Sequence, residues 1–122
     1  MKKTIKATSI DLTNELSAYI EKKLGGLEKF INSQDESVFC DVEVARTTMH
    51  HKTGDIFRAE FHLHMAGKYL NAVSEKDSIF AALDEVKDEM AHELTAYKTK
   101  KNTLLKKGSV WIKKMLRRPP NQ

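Results

Sequence analysis

Residues 57–67 read FRAEFHLHMAG, and their alternation decides the fold. Phe57, Ala59, Phe61, Leu63 and Met65 fall on one side of an extended chain; Arg58, Glu60, His62 and His64 fall on the other. A period of two over this length predicts a β-strand with one face in a core and one face wet. Gly67, in AGK, then predicts a tight turn into a short strand at YLNAV. On the other side, HHKTGD (residues 50–55) predicts a hairpin loop in which Gly54 takes a positive φ. Before it, SVFCDVEVAR alternates again, with Val38, Cys40, Val42 and Val44 inward and Asp41 and Glu43 outward.

The flanking segments change period. KTIKATS near the N-terminus suits a short strand. In DLTNEL, Thr13 is a helix N-cap and Glu15 a first-turn acid. Leu16, Ile20, Leu24, Leu27 and Ile31 then form one helical stripe, which Gly25-Gly26 weakens by about 1 kcal/mol per glycine. After the strands, SEKD predicts the start of a second helix, with Ser74 and Asp77 placed as in a capping box. Its stripe is Ile79, Leu83, Val86, Met90, Leu94 and Tyr97, the pattern running to about Lys101, with Asn102 as its end. The order is β-α-β-β-β-α. An α+β fold, one four-stranded sheet with both helices on a single face, buries every stripe at once.

His62, His64 and Glu60 have the spacing of metal ligands and would serve a metal-dependent enzyme. The alternation instead places them on the open sheet face with Arg58, Asp41 and Glu43, a field of mixed charge pairs. Cys40, the softest donor, faces the core. His50 and His51 lie in the loop. No Gly-rich phosphate loop, nucleophile elbow or CxxC pair is present. The expectation is therefore no catalysis, no metal, no cofactor and no small-molecule substrate.

Charge points elsewhere. Of 122 residues, 1–97 carry 12 Lys/Arg against 17 Asp/Glu, a net of −5; 98–122 carry 9 Lys/Arg and no acid, a net of +9. A basic end on a mildly acidic body suggests a polyanionic partner. A single cysteine and the lack of a long apolar run or signal peptide predict a cytoplasmic chain with no transmembrane segment.

On the first helix, Lys22, Lys23, Lys29 and Tyr19 share one flank of the apolar stripe, and Glu21 and Glu28 share the other. On the second, Lys76, Lys87 and Lys98 recur every 11 residues, about three turns, and form one axial stripe. Glu85, Glu89 and Glu93 line the opposite flank. Charge balancing, such as Asp84 with Lys87, does not explain acids placed at i,i+4, which repel by a few tenths of a kcal/mol, roughly. Side by side, the helices would form a lysine-lined groove able to follow a phosphate backbone.

Several segments together resemble the ribosome hibernation-promoting factors, the family that includes the ribosome-associated inhibitor A proteins: TGDIFRAEFHLHMAGKYLNAV, DSIFAALDEVKDEMAHELTAYKTKK and EKKLGGLEKF, in that family's order of elements. The resemblance covers roughly residues 3–101 and implies a domain that binds the small ribosomal subunit between head and body. There it blocks the messenger and transfer RNA sites by occlusion. It implies RNA contacts by Lys22, Lys23, Lys29, Lys87, Lys98, Lys100 and Lys101. Long members continue into a second domain that pairs ribosomes; this chain is expected to be a short form without it, and monomeric. The alternative is a double-stranded or structured RNA-binding module, against which the extra first strand and the missing Lys-Lys-x-x-Lys cluster speak.

Residues 1–101 are thus read as the ribosome-binding domain and 102–122 as a basic amphipathic tail. Its contacts to RNA would come from Lys106, Lys107, Trp111, Lys113, Lys114, Arg117 and Arg118. Gly108 interrupts its helical pattern, and Pro119-Pro120 end it.

Overall fold

Phe61, at the centre of the opening stretch, is fully buried, with Val42 opposite it on one neighbouring strand and Ala72 on the other. Around it the computed structural model describes residues 1–31, 34–48 and 54–117, with Thr48 and residues 101–117 described by backbone alone. The elements are β1 (Lys2–Thr8), α1 (Asn14–Glu28), β2 (Phe39–Thr48), β3 (Asp55–Met65), β4 (Lys68–Lys76) and α2 (Ile79–Arg117). The four strands form one sheet in the order β1-β2-β3-β4. β1 runs parallel to β2 because α1 carries the chain back across the sheet; β2/β3 and β3/β4 are antiparallel. The mixed α+β fold is the one expected.

Every inward residue of the opening strand's central part, Ala59, Phe61 and Leu63, is buried, as are Cys40, Val42 and Val44 beside them. The helices close this face with Leu16, Ile20, Leu24 and Leu27 from α1 and Ile79, Leu83, Val86, Met90 and Leu94 from α2. Thr13 caps α1, its Oγ1 accepting from the Leu16 N–H at 3.1 Å. Gly67, at φ +73°, makes the β3–β4 turn, in a conformation that costs side-chain-bearing residues energy. Gly54, at φ +95°, matches its expected positive φ, while His50, His51 and the rest of 49–53 lie outside the described residues.

Three boundaries differ from expectation. α1 closes at Glu28, so Ile31 packs on the core from beyond the helix. Ser74 is not a helix cap. It sits in β4 opposite Ala59, because the β3–β4 ladder continues to Phe57–Lys76, and its inward side chain is 5% exposed. The Ser74 hydroxyl donates to Glu85 Oε1 at 3.0 Å, while the first α2 carbonyl is that of Ser78, which accepts from Ala82. Finally, α2 does not stop at Asn102 and is not interrupted at Gly108; it reaches Arg117 as one helix. Asn102 and one glycine cost about 1 kcal/mol or less each, too little to end a long helix of otherwise good helix formers. Pro119 and Pro120 lie outside the described residues.

Two measurements check the core. Phe61→Ala should cost about 3–5 kcal/mol in urea unfolding, while His62→Ala on the wet face costs far less. Burial, and secondarily the Asp41 carboxylate, push the Cys40 thiol up to about 12. A thiol raised on folding favours the native state below its unfolded value, and that contribution is lost as pH rises from about 8.5 toward the folded value. Alkaline destabilisation above pH 8.5 or so should therefore be smaller in Cys40→Val, and native Cys40 should resist Ellman's reagent until the chain is unfolded.

Candidate nucleic-acid interface

With one face on the sheet, each helix has a flank turned to its neighbour and a flank turned away. The seam between them is built from Tyr19, Lys23 and Gly26 on α1 and Phe80, Asp84 and Lys87 on α2. Tyr19 and Phe80 pack with ring centroids 4.9 Å apart. Lys23 Nζ lies 2.8 Å from Asp84 Oδ1 and 4.9 Å from the centre of the Tyr19 ring, and the Tyr19 hydroxyl donates a short hydrogen bond to the same carboxylate oxygen. Lys23, then Tyr19, hold the Asp84 carboxyl below its ordinary value, and the same contact raises Lys23. Asp84 thus serves Lys23 across the seam, not Lys87 on its own helix. Lys87 instead lies over Gly26: a Cβ built there would stand 3.0 Å from Lys87 Cε. A side chain at 26 would displace this lysine, which gives the second glycine of the weak pair a use in positioning charge.

The predicted lysines sort by partner. Lys22 is exposed beside Tyr19 and Phe80 at one end of the seam. Lys29, just past α1, holds its ammonium 5.2 Å over the Phe30 ring. Lys98 lines the same cavity as Lys29, and Lys100 is exposed a half-turn on. Among the described residues, Lys22, Lys29, Lys87, Lys98 and Lys100 are in none of the ion pairs, whereas Lys23 is paired with Asp84. Lys76 corrects the expectation most. It belongs to β4, not to the α2 stripe, and pairs with Glu85 Oε2 at 2.8 Å on the acidic flank. That contact and Ser74 lower the Glu85 carboxyl and relieve the repulsion expected along Glu85, Glu89 and Glu93. Glu89 and Glu93 face the β4 edge at Asn71 and Ala72, away from the seam. The side chains of Lys101, Lys106, Lys107, Trp111, Lys113, Lys114 and Arg117 lie outside those described, as does Arg118 entirely.

One basic residue escaped the sequence reading. Lys68, at the start of β4, places its ammonium 5.7 Å from the centre of the Tyr97 ring on α2. No periodicity links a strand residue to a helix residue so far along the chain.

The open sheet face carries His62 and His64 as expected, but as a stacked set. Phe39 and His64 stack at 4.2 Å, His64 meets Tyr69 at 4.8 Å, and His62 Nδ1 is 2.7 Å from the Tyr69 hydroxyl. Glu43, Glu60 and His62 each bring a ligand atom within 4.8 Å of the others. That trio is the arrangement nearest a metal site among the described residues. Arg58 already binds Glu60 at 3.1 Å, so a cation there would have to compete with a guanidinium.

Residues 4–102 match the family described as Sigma 54 modulation protein / S30EA ribosomal protein, and the chain belongs to it. A ribosome hibernation promotion factor from a Picosynechococcus species is 27% identical over 100 residues, 82% of this chain and 50% of that protein. The chain therefore spans about half the length of this curated relative. In fold it is similar to the N-terminal domain of Protein Y from Thermus thermophilus (TM-score 0.65, 20% identity, covering 80% of this chain and 99% of that one). It is also similar to a ribosomal subunit interface protein from Coxiella burnetii (TM-score 0.61, 17% identity, covering 81% and 99%). Among the described residues, no helix is long and apolar enough to cross a membrane.

A seam held by Lys23 makes a titration prediction. Asp84 should titrate below the usual carboxylate value of about 3.9 in an NMR pH series, and Lys23→Gln should move it upward. A carboxyl depressed on folding stabilises the native state above its unfolded pKa, and that stability is lost as pH falls through the folded one. Lys23→Gln should therefore flatten the acid limb of the stability curve below about pH 4.

Proposed function

We propose that this chain binds the small ribosomal subunit and inhibits translation by occupying the channel used by messenger and transfer RNA, as a cytoplasmic hibernation factor acting without chemistry. The observation that carries the reading is the set of ammoniums on the helical layer that are in no ion pair among the described residues: Lys22 and Lys87 at the seam, Lys29 and Lys98 at the cavity they share, and Lys100 a half-turn beyond. Asp84, Glu21 and Glu85 answer other lysines, Glu89 and Glu93 stand on the far flank, and Glu15 is the acid that shares the seam end with Lys22. Family membership and the printed names of the relatives support the same partner. Ammoniums on flexible stems suit phosphates more than base edges, so binding follows RNA shape and falls with salt, by about 0.7–0.9 unit of log K per log salt for each phosphate neutralised.

Lys23 and Lys76 belong to the predicted set but are engaged by carboxylates; their share in binding is smaller on this reading. The division into a binding domain at 1–101 and a basic segment at 102–122 is part of the proposal. Residues 102–117 continue the α2 backbone, and the sequence offers Lys101, Lys106, Lys107, Trp111, Lys113, Lys114, Arg117 and Arg118 as the proposed further contacts to RNA. A monomer with no cofactor and no small-molecule substrate suffices for this role.

Sedimentation through a sucrose gradient tests it. The protein should co-migrate with small subunits or whole ribosomes, and Lys87→Glu with Lys98→Glu should abolish co-migration at moderate salt while leaving the circular dichroism spectrum intact. Lys76→Gln should change little. Preference for free duplex RNA over ribosomes would favour the alternative, a general structured-RNA module.

A further inference from the structure

Past the end of α1 lies a cavity of about 440 Å³, lined by Phe30, Tyr97, Val38, Leu94, Lys29 and Lys98 among others. We infer that this cavity takes a single unstacked nucleobase of a bound RNA strand, the flanking phosphates lying on Lys29, Lys98 and Lys68. The inference rests on the RNA-binding reading above and names what one part of that interface recognises.

Three features carry it. The lining joins two rings and the apolar Val38, Met65 and Leu94 with charged groups, which suits a planar group with polar edges. A cavity of this size falls in the range of small-ligand pockets, about 300–1,000 Å³. Second, the charges around it fit an anionic chain. Lys29 stands over Phe30 at 5.2 Å and Lys68 over Tyr97 at 5.7 Å, and neither they nor Lys98 is in an ion pair among the described residues. The one acid lining the cavity, Asp35, accepts from the Ser37 N–H at 2.9 Å and from its hydroxyl at 2.6 Å, so its carboxylate is engaged within its own turn. Third, the seam contacts advance along both helices, Phe80 at Tyr19 and then Lys87 at Gly26, toward Lys29 and Lys98 at the cavity, so a strand following these lysines passes it. An aromatic wall beside cations is the combination that holds single-stranded bases without strict sequence preference.

The probe is a single-stranded RNA decamer with 2-aminopurine at its centre, compared with the same decamer carrying an abasic residue there. The wild-type chain should bind the first and quench its fluorescence, and should bind the abasic decamer about 5- to 150-fold more weakly. Tyr97→Leu, a half-exposed position whose change leaves the core in place, should lose the quenching and the preference but keep the salt slope. Lys98→Gln should keep the quenching and lower the slope by about 0.7. No binding of the decamer, equal affinity for both decamers, or quenching retained in Tyr97→Leu each overturns the inference; equal affinity is also what a cavity built for a protein side chain would give. These outcomes are independent of the ribosome gradient: co-migration with equal decamer affinities removes the base pocket alone, and base-dependent decamer binding without co-migration removes the ribosome reading alone.

Discussion

Burial of one face of a single sheet under two helices constrains everything else in this domain. The sheet's inward rows are apolar from β2 to β4 except for Ser74, and the two helices supply most of their cover, with Ile10, Phe30 and Ile31 packing at the margin. Once α1 and α2 lie side by side there, each has one flank facing its neighbour and one facing a sheet edge. The charges on those flanks are then sorted by packing. Lysines on the inner flanks of both helices converge, Asp84 stands among them, and Glu85, Glu89 and Glu93 of α2 face the β4 edge.

Convergence of like charge has to be held. The seam does this with one carboxylate, Asp84, shared by Lys23 and the Tyr19 hydroxyl, over the Tyr19–Phe80 contact. The pair is exposed on the Asp84 side, so its direct contribution to stability is small. Its consequence lies in geometry: it joins the helices and engages one cation of the seam, while Lys22 and Lys87 are in no ion pair among the described residues. On the outer flank Lys76 does the converse, placing a cation from β4 against Glu85. Two ion pairs thus set which lysines remain available, and the proposed RNA contacts follow from that subtraction.

The opposite sheet face shows how little a side-chain spacing says about chemistry. His62 and His64 have the separation of metal ligands, yet they part company: His62 lies by Glu60 and the Tyr69 hydroxyl, and His64 by Asp41 and the Phe39 ring. Of the trio Glu43, Glu60 and His62, Glu60 is engaged by Arg58 and His62 by the Tyr69 hydroxyl. A period of two places residues on one face but leaves open what stands beside them on the next strand.

The sequence by itself determined the element order, the inward rows, the Thr13 cap, the buried cysteine and the two flanks of each helix, because alternation, helical period and capping are local and each residue's face follows from its spacing. It misread Ser74 and Lys76, since SEKD satisfies a helix start as well as a strand end, and only the pairing of β4 with β3 through Phe57 and Lys76 chooses between them. It also placed the end of α2 at Asn102, where a weak residue invites a stop that the continuing helix does not make. The partners of Lys23 and Lys68, and the position of Lys87 over Gly26, were decided by tertiary structure alone. Each joins residues far apart in the chain, and such contacts exist only after the core has brought their elements together.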